Sequence, residues 1–519
     1  MLLSILASPA LAAPTSTAST SVPAIVTYKS LPPGIASELN LLRVADAVVE
    51  SGVVLPTIDS VALRAPPILL DLLARDPRVL AVRPQRRLKL NLHSSVTQLN
   101  ARGLETPEMV GPAACAIERP GVTGAGITVA VIDSGVFAAH PGLLGRVLEG
   151  RNFELSQVQR QSGGVLTAEE WDQYAEATGP SALQDEVGHG THCAGIIGGD
   201  GSGASGLDLR GVAPGVKLVS LKIASAVNGV VEDIGFEANS VMAIDYLVRH
   251  KDELGVRVAS NSWGLLEEEA QAPLTGPTDF DPVKLAVQNA VAAGISMVFA
   301  AGNDGGGPDQ DTLRAIPNGL DEVITVASAC KADHGSCPAG SVNSFTSRGA
   351  AVDVAAPGDQ ILSAMSPSAL AALGQTLEGD YFGDTPQDQA QNRLFYMRLS
   401  GTSMAAPHVA GVVALLLEAN PELTPAQIRE ILVATADDLA VVDDAELLPG
   451  FDKASGHGMV NVRTALAMAV GAPLEAICPA GPGEPPVIPP GGDAGGGGGA
   501  LGAGLLILLL ASRRRSRAH

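Results

Sequence analysis

The run Ile127-Thr128-Val129-Ala130-Val131-Ile132-Asp133-Ser134-Gly135 decides the fold. Its first six residues carry a single hydroxyl and no alternation of polar with apolar side chains, so a strand made of them has neither face in water. Strands of that kind belong to parallel sheets covered by helices on both sides. The run ends in a carboxylate, Asp133, and Gly135 permits a tight exit from the strand. Open parallel sheets collect their ligands and reacting groups at the C-terminal edge of the strands, which makes Asp133 a candidate functional residue. Capping of a loop is the ordinary alternative for an Asp in that place.

Runs of the same character recur at Lys217-Leu218-Val219-Ser220-Leu221-Lys222-Ile223, Val256-Arg257-Val258-Ala259, Ile295-Ser296-Met297-Val298-Phe299-Ala300 and Val323-Ile324-Thr325-Val326-Ala327. Amphipathic helical stretches separate them. One α/β domain, with a mainly parallel central sheet flanked by helices, is predicted over residues 110 to 470. Ahead of it, residues 22 to about 92 read as strand, helix, strand, a small α+β unit.

The chain has 519 residues, 59 Gly, 36 Pro and 17% charged side chains, too apolar for disorder and too long for a small stapled scaffold. With 33 Lys plus Arg against 55 Asp plus Glu, the net charge of -22 argues against a nucleic-acid partner, whose phosphates need cations. Five cysteines are too few for a disulfide framework.

Two further stretches carry chemistry. In Gly188-His189-Gly190-Thr191-His192-Cys193-Ala194-Gly195, small residues let a helix approach its neighbours, and His189 stands at its N-terminal end. The helix dipole disfavours a protonated imidazole there and so keeps a general base available. His192, one turn on, is the competing candidate, read here as a packing histidine. In Gly401-Thr402-Ser403-Met404-Ala405-Ala406-Pro407, followed by an apolar run through Leu417, Ser403 lies in the first turn of a buried helix. A hydroxyl there has unpaired backbone amides beside it, ready for an oxyanion.

The order Asp133, His189, Ser403 and the motifs Val-Ile-Asp-Ser-Gly, His-Gly-Thr-His-Cys-Ala-Gly and Gly-Thr-Ser-Met-Ala-Ala-Pro resemble those of the subtilase family of serine peptidases. The resemblance runs from about residue 122 to 469 and implies a subtilisin-like fold and an Asp-His-Ser triad acting on protein or peptide substrates. It implies that Asn303 supplies the oxyanion-hole amide. It also implies that Ser262, Trp263 and Gly264 pair with substrate backbone, and that Ala300, Ala301, Gly302 and Asp304 border the pocket for the P1 side chain. An apolar P1 preference, with basic residues tolerated through Asp304, is the expectation. No cofactor is required; structural calcium is allowed by the resemblance alone, since Asp304, Asp309 and Asp311 show no ligand spacing.

The same resemblance reads residues 14 to 95 as an inhibitor-like propeptide, an intramolecular partner that blocks the cleft until it is cut off. Residues 1 to 13 read as a signal peptide with a small-x-small site at Ala10-Leu11-Ala12. Residues 471 to 499 form a Pro/Gly-rich linker, and 500 to 519 an apolar segment ending in Arg513-Arg514-Arg515. That tail resembles the GlyGly-CTERM sorting tail, with a rhomboid-like sortase as its processing partner, so export to the surface or medium is expected. Two extensions, residues 154 to 184 and 366 to 398, are expected at the rim of the cleft. Cys193 is expected as a free core residue, Cys330 and Cys337 as a disulfide, and Cys115 with Cys478 as a tie between the domain ends. A catalytically silent binding module of the same fold is the alternative. An α/β-hydrolase esterase fits less well, because Ala405 stands where a second Gly is needed and His189 precedes Ser403.

Overall fold

In a computed structural model of the chain, the structure describes residues 21–44, 47–86, 88–90, 122–154, 164–225, 237–265, 276–277, 280–305, 317–330, 341–372, 385–439 and 449–471. The expected signal peptide, the linker beyond Gly471, the tail, Cys115 and Cys478 lie outside them.

Seven strands form one parallel sheet in the order Val354–Pro357, Ile324–Ala329, Ser296–Ala300, Val256–Asn261, Thr128–Asp133, Lys217–Lys222, Val147–Asn152. The strand read first lies inside that sheet, with neighbours on both edges. Its alternate residues serve two cores: Val129 and Val131 pack with Val409 and Val413 of the Thr402–Ala419 helix, while Ala130 and Ile132 pack with Val241 and Ile244 of the Glu237–Leu254 helix. Burial on both faces is the physical reason for an apolar run without alternation. The five runs read as strands are strands; the two edge strands did not stand out, because Val147–Asn152 carries Glu149 and Arg151 and Val354–Pro357 is only four residues long. The Thr402–Ala419 helix is long and apolar enough to cross a membrane, but it lies buried inside the protein as a core helix.

The N-terminal unit holds more than the strand, helix and strand expected of it. Val22–Tyr28, Ser51–Leu55, Ser60–Ala65 and Val79–Pro84 form an antiparallel sheet backed by the Ile35–Leu41 and Pro67–Leu73 helices. A fifth strand on its edge, Val165–Leu166, comes from the first extension. The same extension also supplies the Ala168–Ala182 helix. The described part of the second ends in the Tyr396–Leu399 strand, paired with Ile361–Ala364.

Candidate active site

Asp133 ends its strand, and the His189–Gly198 helix begins beside it. The approach is close: a Cβ on Gly190 would stand 2.1 Å from the Gly135 carbonyl and 3.1 Å from the Asp133 Cβ, so only glycine lets the helix reach the strand end. The result is a buried pair. His189 Nδ1 lies 2.8 and 3.0 Å from the two Asp133 carboxylate oxygens, and both side chains are 1% exposed. His189 Nε2 is buried without a hydrogen-bond partner, so the tautomer with Nδ1–H donated to Asp133 leaves a free lone pair on Nε2.

Asp185, which carries no motif of its own in the sequence, fixes the loop before that helix. Its carboxylate accepts from the Ser134 hydroxyl (2.9 Å), the Gly188 amide (2.7 Å), and the Thr191 amide and hydroxyl (2.9 and 2.6 Å). Burial pushes its carboxyl above the usual range, and the bonds from Thr191 pull it back. An Asp four residues before His189 was the only sequence trace of this role. His192 is a packing residue, as read: its Nε2 lies 3.0 Å from the Ile361 and Met397 carbonyls and ties that strand pair to the helix. Burial drives its pKa down to about 3, which leaves it a neutral imidazole that donates this proton.

Ser403 lies fully buried in the first turn of the Thr402–Ala419 helix. Its hydroxyl donates to the Ser262 carbonyl at 3.1 Å, and His189 Nε2 is left without a partner. Pro407 lies inside the same helix. Having no N–H, it leaves the carbonyl four residues back, that of Ser403, without a helical partner. The Ser262 hydroxyl donates to that carbonyl at 2.9 Å, and the Cys193 thiol at 3.4 Å. Cys193 is a buried free thiol, as expected, and burial raises its pKa well above the ordinary value. Its sulfur lies within 4.8 Å of ligand atoms on Asp133 and His189, so the three form a group that could in principle hold a metal. Asp133 already holds Nδ1 of this imidazole by a hydrogen bond. Among the described residues this is the one such group; Asp309 and Asp311 lie outside them.

Asn303 follows the Ser296–Ala300 strand by three residues. Its Oδ1 accepts from the Thr402 amide (3.0 Å) and hydroxyl (2.9 Å), which fixes the plane of the carboxamide and turns Nδ2 to the other side. Gly302 stands at φ +111, and a Cβ there would meet the Ser347 hydroxyl at 2.8 Å. Ala300 and Ala301 are buried, and Asp304 is exposed, its amide donating to Ser347 Oγ at 3.1 Å. Trp263 is buried with its ring edge-on to Phe299 at 5.3 Å, so the residue offers the site its backbone more than its indole. That backbone is occupied: Trp263, Gly264 and Leu265 pair antiparallel with Leu90, Lys89 and Leu88 of the N-terminal unit. Cys330 is buried, and its expected partner Cys337 lies outside the described residues.

The family model described as Subtilase family matches residues 124–458. Serine protease AprX of Bacillus subtilis (strain 168) is 32% identical over 320 residues, 60% of this chain and 61% of that protein, so the match spans less than two thirds of AprX. Subtilisin of Bacillus pumilus is 30% identical over 350 residues, 67% of this chain and 94% of that one. The crystal structure of fervidolysin from Fervidobacterium pennivorans, described as a keratinolytic enzyme related to subtilisin, superposes with a TM-score of 0.58 at 25% identity, covering 88% of this chain and 62% of that one.

Proposed function

The chain belongs to the subtilase family, and from that premise we propose that it is a serine endopeptidase, made as a self-processing zymogen. The observation that carries this reading is the buried His189 with Nδ1 held by Asp133 and Nε2 unpartnered, linked through Cys193, whose thiol reaches the Ser403 carbonyl, to a serine in the first turn of a helix. Rotation of Ser403 away from the Ser262 carbonyl brings its hydroxyl to Nε2, which takes the proton as oxygen attacks the scissile carbonyl. Asp133 keeps the imidazole in the productive tautomer and stabilises its cation. The oxyanion meets the Ser403 amide, unpaired because it opens a helix, and Nδ2 of Asn303. His189 then returns the proton to the leaving amine, and water hydrolyses the acyl-enzyme by the same relay. Calcium, which the family resemblance allows, supplies no step.

The Leu88–Leu90 strand supports the propeptide reading. It lies on Trp263–Leu265 as an extended substrate would, and its end at Leu90 faces Trp263, next to the Ser262 carbonyl that holds the nucleophile. Cleavage shortly after Leu90 follows from that register. Substrates are proteins and peptides, with apolar P1 side chains favoured and basic ones tolerated through the solvated Asp304. Residues 1 to 13 direct export, and the 500 to 519 tail is the substrate of a rhomboid-like sortase at the cell surface. A Cys330–Cys337 disulfide belongs to the same exported state. The test is the full-length Ser403→Ala chain: pure, it stays uncut and inactive on a protein substrate while the wild type loses its N-terminal unit. A Ser403→Ala chain that matures unaided overturns the reading.

A further inference from the structure

The Val165–Leu166 strand pairs parallel with Gly52 and Val53 and completes the sheet of the N-terminal unit, although it belongs to the segment between Asp133 and His189. Three contacts read its backbone. The Gly52 amide donates to the Gly164 carbonyl at 3.0 Å. The carboxamide of Asn40 grips both polar groups of Val165: its Nδ2 donates to the Val165 carbonyl at 3.0 Å, and its Oδ1 accepts from the Val165 amide at 2.6 Å. Gly164 allows this approach, since a Cβ there would stand 2.7 Å from Asn40 Oδ1. Behind the strand, Trp171 of the Ala168–Ala182 helix is 1% exposed in one core with Ile25, Val53 and Leu55 of the N-terminal unit. The helix is also anchored to the catalytic body, because Asp172 binds Arg249, Arg249 binds Asp245, and Asp245 accepts from the Thr57 amide.

We propose that residues 164–182 are a dedicated docking surface for the chain's own N-terminal unit, separate from the substrate cleft. It works by strand addition, in which backbone hydrogen bonds give affinity and a buried aromatic gives an anchor. The occupant is the N-terminal unit after its peptide bond has been cut, and the docking surface prolongs its stay over the cleft. The proposal rests on the propeptide reading above, deepening it by naming what holds the fragment apart from the Leu88–Leu90 strand.

The test follows two quantities in one sample of the full chain. Denaturing electrophoresis gives the fraction of chains cut, and size-exclusion chromatography over time gives the fraction of cut fragment still bound. With Asn40→Ala, cutting proceeds as in the wild type and the fragment leaves at least about tenfold faster, the size expected for losing two hydrogen bonds. Equal residence times overturn the proposal. A wild-type chain that is never cut overturns the peptidase reading instead, and a second arm then decides the docking surface. In uncut Ser403→Ala protein, the 164–166 amides are protected from hydrogen exchange and lose protection when Asn40→Ala is added. Amides that exchange alike in both chains count against the docking surface whether or not the chain processes itself.

Discussion

Asn303 earns its place through its oxygen. With Oδ1 held by the Thr402 amide and hydroxyl, the Nδ2 end is aimed before any substrate arrives, and preorganisation of this kind makes a single donor valuable in the transition state. Asn303→Ala is expected to lower kcat by roughly 10² to 10³ with KM little changed, a size carried over from the corresponding change in subtilisin. Steady-state kinetics on a peptide substrate checks it, and an unchanged kcat removes Asn303 from the oxyanion hole. The pairing of Asp133 with His189 and the place of Ser403 in a first helical turn were legible in the sequence because each residue sits in a motif whose neighbours are small or apolar for packing reasons. Asp185 was not, since its role is to collect donors from Ser134, Gly188 and Thr191, and a hydrogen-bond convergence of that sort leaves no spacing to read. The turn of the Ser403 hydroxyl toward Ser262 was equally hidden, being a choice between rotamers.

The His189–Gly198 helix and the Thr128–Asp133 strand form one device, and Gly190 is the point where they touch. A Cβ at residue 190 would come within 2.1 Å of the Gly135 carbonyl, so Gly190→Ala must push the helix outward and carry His189 with it. Displacement on the order of 1 Å costs about a hundredfold in rate, so kcat/KM is expected to fall by that order while overpacking destabilises the fold by about 1 to 3 kcal/mol. Kinetics and urea unfolding on the same variant check both halves; full activity would mean that the contact at Gly190 does not set the dyad. The inner strands and the helices that begin at His189 and Thr402 were legible because burial on both faces enforces continuous apolar runs. The Val165–Leu166 strand was not, because a two-residue edge strand pairing with a distant unit is held by backbone groups and by Asn40, none of which leaves a pattern in composition.

Between neutral pH and about pH 5, the molecule's acid sensitivity includes a share from buried histidines. Burial, with the charges of His189 and His408 adding to it, holds His192 at a pKa of about 3 against an ordinary 6.5, and burial lowers His140 in the same direction. The unfolded chain therefore binds protons that the folded chain refuses, so stability falls as pH drops below about 6.5, His192 alone contributing up to ~1.4 kcal/mol per pH unit until about pH 3. Asp185 and Asp353, raised by burial, act with the opposite sign, their folded forms holding protons as pH rises above 3.8. Urea unfolding of Ser403→Ala protein, which cannot digest itself, at pH 7 and 5 should show the loss, and adding His192→Gln should flatten it; equal slopes in the two chains contradict the assignment. At this scale the apolar strands had already pointed to an α/β protein, while the pairings of Leu88–Leu90 with Trp263–Leu265 and of Val165–Leu166 with Gly52 and Val53 appeared only in three dimensions. The central claim is that Ser403 is a nucleophile activated by His189 and Asp133, and its most direct measurement is peptide mass spectrometry after treating the matured protein with a fluorophosphonate. The account predicts one adduct, on Ser403; an unlabelled matured protein, or a label on another serine, would contradict it.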